Sequence, residues 1–420
     1  MESITDFAPE IQKRISGFIT FLSKHGFSRP EVKNSGMLFH AMLNRHNVHV
    51  SELARSLGET IAPKKTEERL HRNLRRKGLG RRLLEANAIK NRAGICGKRY
   101  CIVDLSDIQK PYGEKMEGLG RVRDGDKSSN DTVVIGNGLY WINGVMADDS
   151  GILPVYSEIY GLDHEGREHT SENVKILEIT DLVHALHPDA TYVLDRGGDR
   201  SSIIDSLLED GKRFVIRGQD QRSLRLHQDS EKDTNIKDIA KKTRTSYAYK
   251  SLRNGEWFDV GIRLVYYGET PLWLVVSRRR RGGLSWYLTY AEGTRREIMD
   301  TVMEAYGLRW RVEEYHRQIK QDYNLEKICL RNYNAIKNMG ALVALAASFC
   351  ARLPEHLVIQ MIAAARLLPR KRLRDIPSYP YYMITAAAAW VLGQSYKQRP
   401  KPLRIRKRDY FQLSLALQEF

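Results

Sequence analysis

Apolar residues recur at three-and-four spacing through roughly the first 95 positions, in FITFLSKHGF, GMLFHAMLNRHNVHVSELARSLG and TEERLHRNLRRKGLGRRLLEANAI, a pattern that predicts helices. The short breaks SRPEV and ETIAPKK separate them. VSELARSLGETIAPKKTEERLHRNL reads as two helices joined by a turn, with Ser51 and Thr66 as N-caps. From about residue 96 the pattern shortens to strand-like runs: RYCIVDLSDI, DTVVIGNGLYWING and ILPVYSEIYG. A helix over SENVKILEITDLVHAL and a strand over ATYVLDRGG follow, so a mixed α/β domain is expected. Residues 201–209 read as a helix, and FVIRG, TSYAYKSL, WFDVGIRLVYYG, PLWLVVSRR and LSWYLTYAEG form a strand-rich block. One helix is expected over 296–327, and the tail from about 331 returns to helical spacing.

Length changes this picture little. With 420 residues the chain can bury a sizeable core and suggests two or three domains. ALVALAASFCARL and MITAAAAWVLG, the most apolar later stretches, are too short to span a bilayer and read as buried helices, so no membrane partner is expected. MESITDFAPEIQKRISGF lacks the basic segment and apolar core of a secretory signal, so a cytoplasmic protein is expected. Cys96, Cys101, Cys329 and Cys350 lack zinc-knuckle or redox-pair spacing; reduced core thiols, and no structural zinc, are expected.

Charge changes it more. Lys and Arg number 68 against 51 Asp and Glu, a net charge of +17 that points to a polyanionic partner. Nine Lys or Arg face two Glu between Lys64 and Arg82, enough for a face that tracks phosphates, though a solvated amphipathic helix would have the same composition. The run KQRPKPLRIRKR near the C-terminus adds seven more cations and no acid.

Two aspartates share an unusual context. Asp104 in RYCIVDLSD and Asp195 in TYVLDRGGD each end an apolar, strand-like run, where a carboxylate is costly unless hydrogen-bonded or bound to metal. A third acid emerges from YGLRWRVEEYHRQIK, residues 306–320. At roughly 100° per residue, Arg309, Glu313 and Lys320 fall within an arc of about 60° from Tyr306, whereas Glu314 lies about 100° beyond Glu313. A surface Arg–Glu pair explains Arg309 with Glu313 but not the whole stripe. Asp104, Asp195 and Glu313 together make an oxygen-ligand set for Mg²⁺ or Mn²⁺, and two such ions support in-line phosphoryl transfer.

The spacing of Tyr306, Arg309, Glu313 and Lys320 resembles the YREK signature of DDE transposases of the insertion-sequence-four type. VDLSD resembles the segment around that family's first Asp, and LDRGGD the segment around its second; the resemblance runs from about residue 99 to 327. It implies an α/β ribonuclease-H-like catalytic core at 96–330 with a β-rich insertion at about 210–292. An all-α N-terminal DNA-binding domain (1–95) and a helical C-terminal region (331–420) would flank that core. It further implies catalysis by Asp104, Asp195 and Glu313 holding two Mg²⁺ or Mn²⁺ ions, with Tyr306, Arg309 and Lys320 on DNA phosphates. The partners would be double-stranded DNA, as transposon ends and target, and a second copy of the chain in a synaptic complex. The location implied is the nucleoid of a prokaryotic cell.

Several residues carry more than one reading. By the same resemblance Trp286 would stack on a flipped base during hairpin formation, with burial in the β block and Trp273 as the competing readings. Arg278, Arg279, Arg280 and Arg281 read as a hairpin tip, either solvated or gripping the DNA backbone. Arg196 and Asp199 orient Asp195 or anchor a turn, and Asp107 is expected to face away from Asp104. The expected function is a transposase that binds terminal inverted repeats, cleaves them and joins the 3′-OH to target DNA. The alternatives are a ribonuclease-H-like nuclease without strand transfer and an inactive DNA-binding repressor or domesticated transposase.

Overall fold

The computed structural model describes residues 4–125, 127–128, 132–161, 170–230, 232–251, 255–279, 282–365 and 380–397. Six helices come first: α1 (Ile4–Ser23), α2 (Arg29–Arg45), α3 (Val50–Ser56), α4 (Pro63–Leu74), α5 (Leu79–Lys90) and α6 (Arg92–Cys96). The apolar stripes of α1 to α5 meet in one core, for example Ile15, Leu38, Leu53, Leu70 and Leu83. The expected caps at Ser51 and Thr66 are not where helices begin. Both residues lie inside helices: α3 already begins at Val50, and Pro63, with no N–H to satisfy and φ already helical, takes the first turn of α4. Thr66 instead donates to Glu59 at 2.6 Å.

Next come β1 (Tyr100–Gln109), β2 (Gly120–Arg123), β3 (Ile135–Asp148), β4 (Gly151–Tyr160), α7 (Glu172–Leu186), β5 (Thr191–Leu194), α8 (Ser201–Glu209) and β6 (Arg213–Arg217). A small unit, β7 (Ser223–Leu224), β8 (Thr234–Asn235) and α9 (Ile236–Lys242), precedes β9 (Tyr247–Lys250), β10 (Trp257–Tyr267), β11 (Thr270–Arg279) and β12 (Leu284–Tyr290). Ten of these strands form one sheet in the order β2-β3-β1-β5-β6-β12-β11-β10-β9, with β4 also on β3. β1, β5 and β6 run parallel. The strand-rich block after residue 210 therefore continues the central sheet: β12 pairs antiparallel with β6.

Period-two alternation sorts β1 cleanly. Tyr100, Ile102 and Ile108 face one core, Cys101 and Val103 the other. Helices α7, α8 and α9 cover the second face through Ile179, Ile203 and Ile239. The first face is covered by α10 (Arg295–Gly307) and α11 (Trp310–Asp322), then α12 (Tyr333–Ala351), α13 (Glu355–Ala364) and α14 (Tyr381–Lys397). The result is a mixed α/β architecture with helices on both sides of a large sheet. Helix α12 contains most of the apolar stretch 341–353 and starts at Tyr333, close to where helical spacing resumes. At 19 residues it is long and apolar enough to cross a membrane, and here it is a core helix packed on β4 and α5.

The single helix expected over 296–327 is two. α10 ends at Gly307, and Leu308 and Arg309 form a tight turn whose backbone bonds reach three residues back: Arg309 N–H to Tyr306, Arg311 to Leu308 and Val312 to Arg309. Across this turn Tyr306 still borders the same cavity as Arg309 and Glu313.

Candidate active site

Asp104 lies on β1 two residues beyond its last pairing with β5, opposite Asn143 of β3. Asp195 directly follows β5, and Asp104, midway along β1, lies just past the stretch that pairs with β5, so both aspartates stand where the parallel pairing ends, the usual crevice of an open α/β sheet. Asp195 is fixed by its own turn: one carboxylate oxygen accepts from Gly197 N–H at 2.7 Å, capping a short 3₁₀ turn, and the other remains available. Glu313, in the first turn of α11, completes the cluster from above and is half exposed.

One guanidinium joins all three. Arg309 Nη2 is 3.1 Å from Asp104 and 3.9 Å from Asp195, and Nη1 is 2.5 Å from Glu313. The Arg309 Nε–H is buried without a partner. Three carboxylates against one cation leave excess negative charge, and Asp104 registers it. Burial, reinforced by Asp195 and Glu313, pushes its carboxyl up to about 7 despite Arg309. Arg309 is shifted further upward: burial opposes its charge, but Asp104, Tyr306, Asp195 and Glu313 outweigh it.

His316 was missed by sequence reasoning. It sits one helical turn after Glu313, buried, with Nδ1 3.9 Å from Asp104 and Nε2 3.0 Å from the Asn143 amide nitrogen. Burial, aided by Lys320 and Arg309, pushes its pKa down to about 3, so the ring is neutral. With Asn143 donating to Nε2, the proton resides on Nδ1 and points toward Asp104. Its three-residue spacing from Glu313 is a readable signal, whereas Asn143 can be found only once the β1–β3 register is known.

The other candidates are distributed around this cluster. Tyr306 packs on Tyr287, ring centroids 4.7 Å apart, and borders a cavity of about 420 Å³ lined also by Arg217, Ser277, Arg279 and Trp310 and reaching Glu313. Lys320 turns to Glu326 at 3.1 Å and Asp107 at 4.0 Å, so Asp107 stays apart from the acid cluster. Trp286 is buried on the sheet face opposite Tyr287, because adjacent strand residues alternate sides; so placed, it offers no ring face to a base at this cavity. Trp273 is partly buried beneath Arg295. Arg278 is exposed, Arg279 lies 3.8 Å from Glu256, and Arg280 and Arg281 are outside the described residues, as is most of the C-terminal basic run. Asp199 anchors a turn: it accepts from Gln219 N–H at 2.6 Å and Arg222 at 2.7 Å, tying the segment after Asp195 to the loop that follows β6. Arg196 pairs with Asp220 at 3.5 Å. Of the cysteines expected in the core, Cys101 and Cys350 are buried, but Cys96 and Cys329 are exposed.

The all-oxygen donor set at Asp104, Asp195 and Glu313 suits a hard divalent cation, and their mutual repulsion calls for positive charge. Among the described residues, no three Asp, Glu, His or Cys side chains stand close enough as placed to hold an ion. At this cluster the Arg309 guanidinium stands between them.

No curated protein matches the chain. Residues 153–349, just under half of it, match the model of a family described as a transposase DDE domain. The matched region starts after Asp104 and contains Asp195, Arg309 and Glu313. This part of the chain is thus similar to a transposase DDE domain, and the similarity supports a transposase that acts on DNA.

Proposed function

We propose that the chain is a DNA transposase of the insertion-sequence-four type, with a ribonuclease-H-like core and Asp104, Asp195 and Glu313 as its catalytic acids. The observation that carries this reading is the meeting of those three carboxylates with Arg309 where the parallel pairing of β1 and β5 ends. Here the acids would hold Mg²⁺ or Mn²⁺, two ions in all, which would activate a water or 3′-OH and neutralise the leaving oxygen. The Asp195 turn and the Asn143–His316 pair orient two of the acids. Arg309, with Tyr306 beside it, binds a DNA phosphate next to the reacting strand, and Lys320 adds charge at the far end of α11. The basic helix α4 and the arginines after it track the backbone of the terminal repeats. Two copies of the chain pair the transposon ends, cleave them, with a hairpin intermediate as one route, and join the 3′-OH to target DNA. Such a protein works at the nucleoid.

Strand transfer is the decisive test. Precut end DNA incubated with the protein, Mg²⁺ and a supercoiled target should give joined products. Cleavage without joining would identify a nuclease, and binding without either reaction would identify a repressor.

A further inference from the structure

Arg309 is positioned for more than a phosphate contact. Among the described residues it is the one Lys or Arg within 4.0 Å of any of the three acids, and it reaches all of them. Its nitrogens lie 2.5 Å from Glu313 and 3.1 Å from Asp104, in the space between oxygens that a divalent ion would approach to about 2.1 Å. Guanidinium and ion therefore compete for the same oxygens.

The local structure lets the side chain leave. Nε–H has no partner to hold it, and Arg309 belongs to the two-residue turn between α10 and α11 rather than to a helix interior. A displaced guanidinium needs another anion, since an unpaired buried charge is costly. The adjoining cavity, lined by Arg217, Arg279 and Tyr306, is suited to a phosphate, and among the described residues its acids are Glu256 and Glu313.

We propose that Arg309 is a resident substitute cation, which closes the acid cluster to divalent ions until a DNA phosphate draws the guanidinium away. Metal loading is then coupled to DNA binding, and by linkage each tightens the other by the same factor. This rests on the acids being a metal site, and the test separates the two ideas.

Mn²⁺ alone is titrated into the full chain by calorimetry, without DNA. The wild type should bind weakly and Arg309→Gln at least tenfold more tightly, with Arg309→Lys between them. Adding Asp104→Asn to Arg309→Gln should return binding to the weak level. Equal affinity of wild type and Arg309→Gln, at a site that Asp104→Asn removes, would overturn the substitute-cation role and leave the metal site standing. No Mn²⁺ bound by any variant would overturn both. Should Arg309→Gln not fold, Arg309→Lys decides: affinity no higher than wild type counts against the role.

Discussion

Two buried carboxylates, Glu158 and Asp104, sit in clusters built from similar parts and end in opposite states. Glu158 on β4 is gripped by Lys175 at 3.0 Å and by Lys337, and Tyr156 donates to it. Nearby Glu178 takes Lys175 at 3.1 Å and Arg81 at 3.6 Å. Cations from α5, α7 and α12 thus meet two acids beside a cavity of about 660 Å³ where the N-terminal helices join the sheet. Burial pushes the Glu158 carboxyl up, but Lys337 and Lys175 more than reverse it, leaving it below the usual range. At Asp104 burial wins, because three acids share one guanidinium. Matched charge marks a joint that holds helices to the sheet; unmatched charge marks a place prepared for something else.

Breaking the matched cluster should have the largest effect on stability. Lys175→Met leaves Glu158 and Glu178 short of a cation and should cost about 3 kcal/mol in denaturant unfolding, as for one partner removed from a buried pair. Asp104→Asn, by contrast, removes repulsion and should leave the metal-free protein as stable as the wild type or more so.

The clusters should also respond oppositely to pH. The folded pKa of Asp104 is raised from 3.8 to about 7, so the folded state keeps a proton that the unfolded chain has lost. Its contribution therefore declines as pH rises from about 4 to about 7. Glu158 has a lowered pKa, so its contribution is present above its unfolded pKa and lost as pH falls through the folded one. Unfolding in EDTA across this range should show the Asp104 slope in the wild type and not in Asp104→Asn. An unchanged slope would assign it elsewhere.

The smallest effect should come from Glu314, whose side chain turns to Arg317 on the helix surface. Glu314→Gln should shift stability by no more than about 0.5 kcal/mol and leave cleavage intact, unlike the same change at Glu313.

Much of this was readable in the chain. Apolar runs gave β1, β3, β4, β5, β6 and β9 to β12 but not the two-residue β7 and β8, because a buried sheet needs continuous hydrophobic stretches. β2, only GRVR, carries no such signal. The break at Leu308 has one signal in the chain, Gly307, a common helix-ending residue. Asp104, Asp195 and Glu313 stood out because carboxylates at strand ends and on a mixed helix face need a reason. Asn143 and His316 did not, since their role depends on strand register and on how α11 lies over β1, both tertiary facts.

The most direct test of the central claim replaces Asp104, Asp195 or Glu313 by Ala and follows Mg²⁺-dependent cleavage of DNA carrying the element's ends, with binding measured in parallel. Each variant should bind the ends as the wild type does and cut none of them. Undiminished cleavage by any one of them would contradict the assignment of that residue to the catalytic centre.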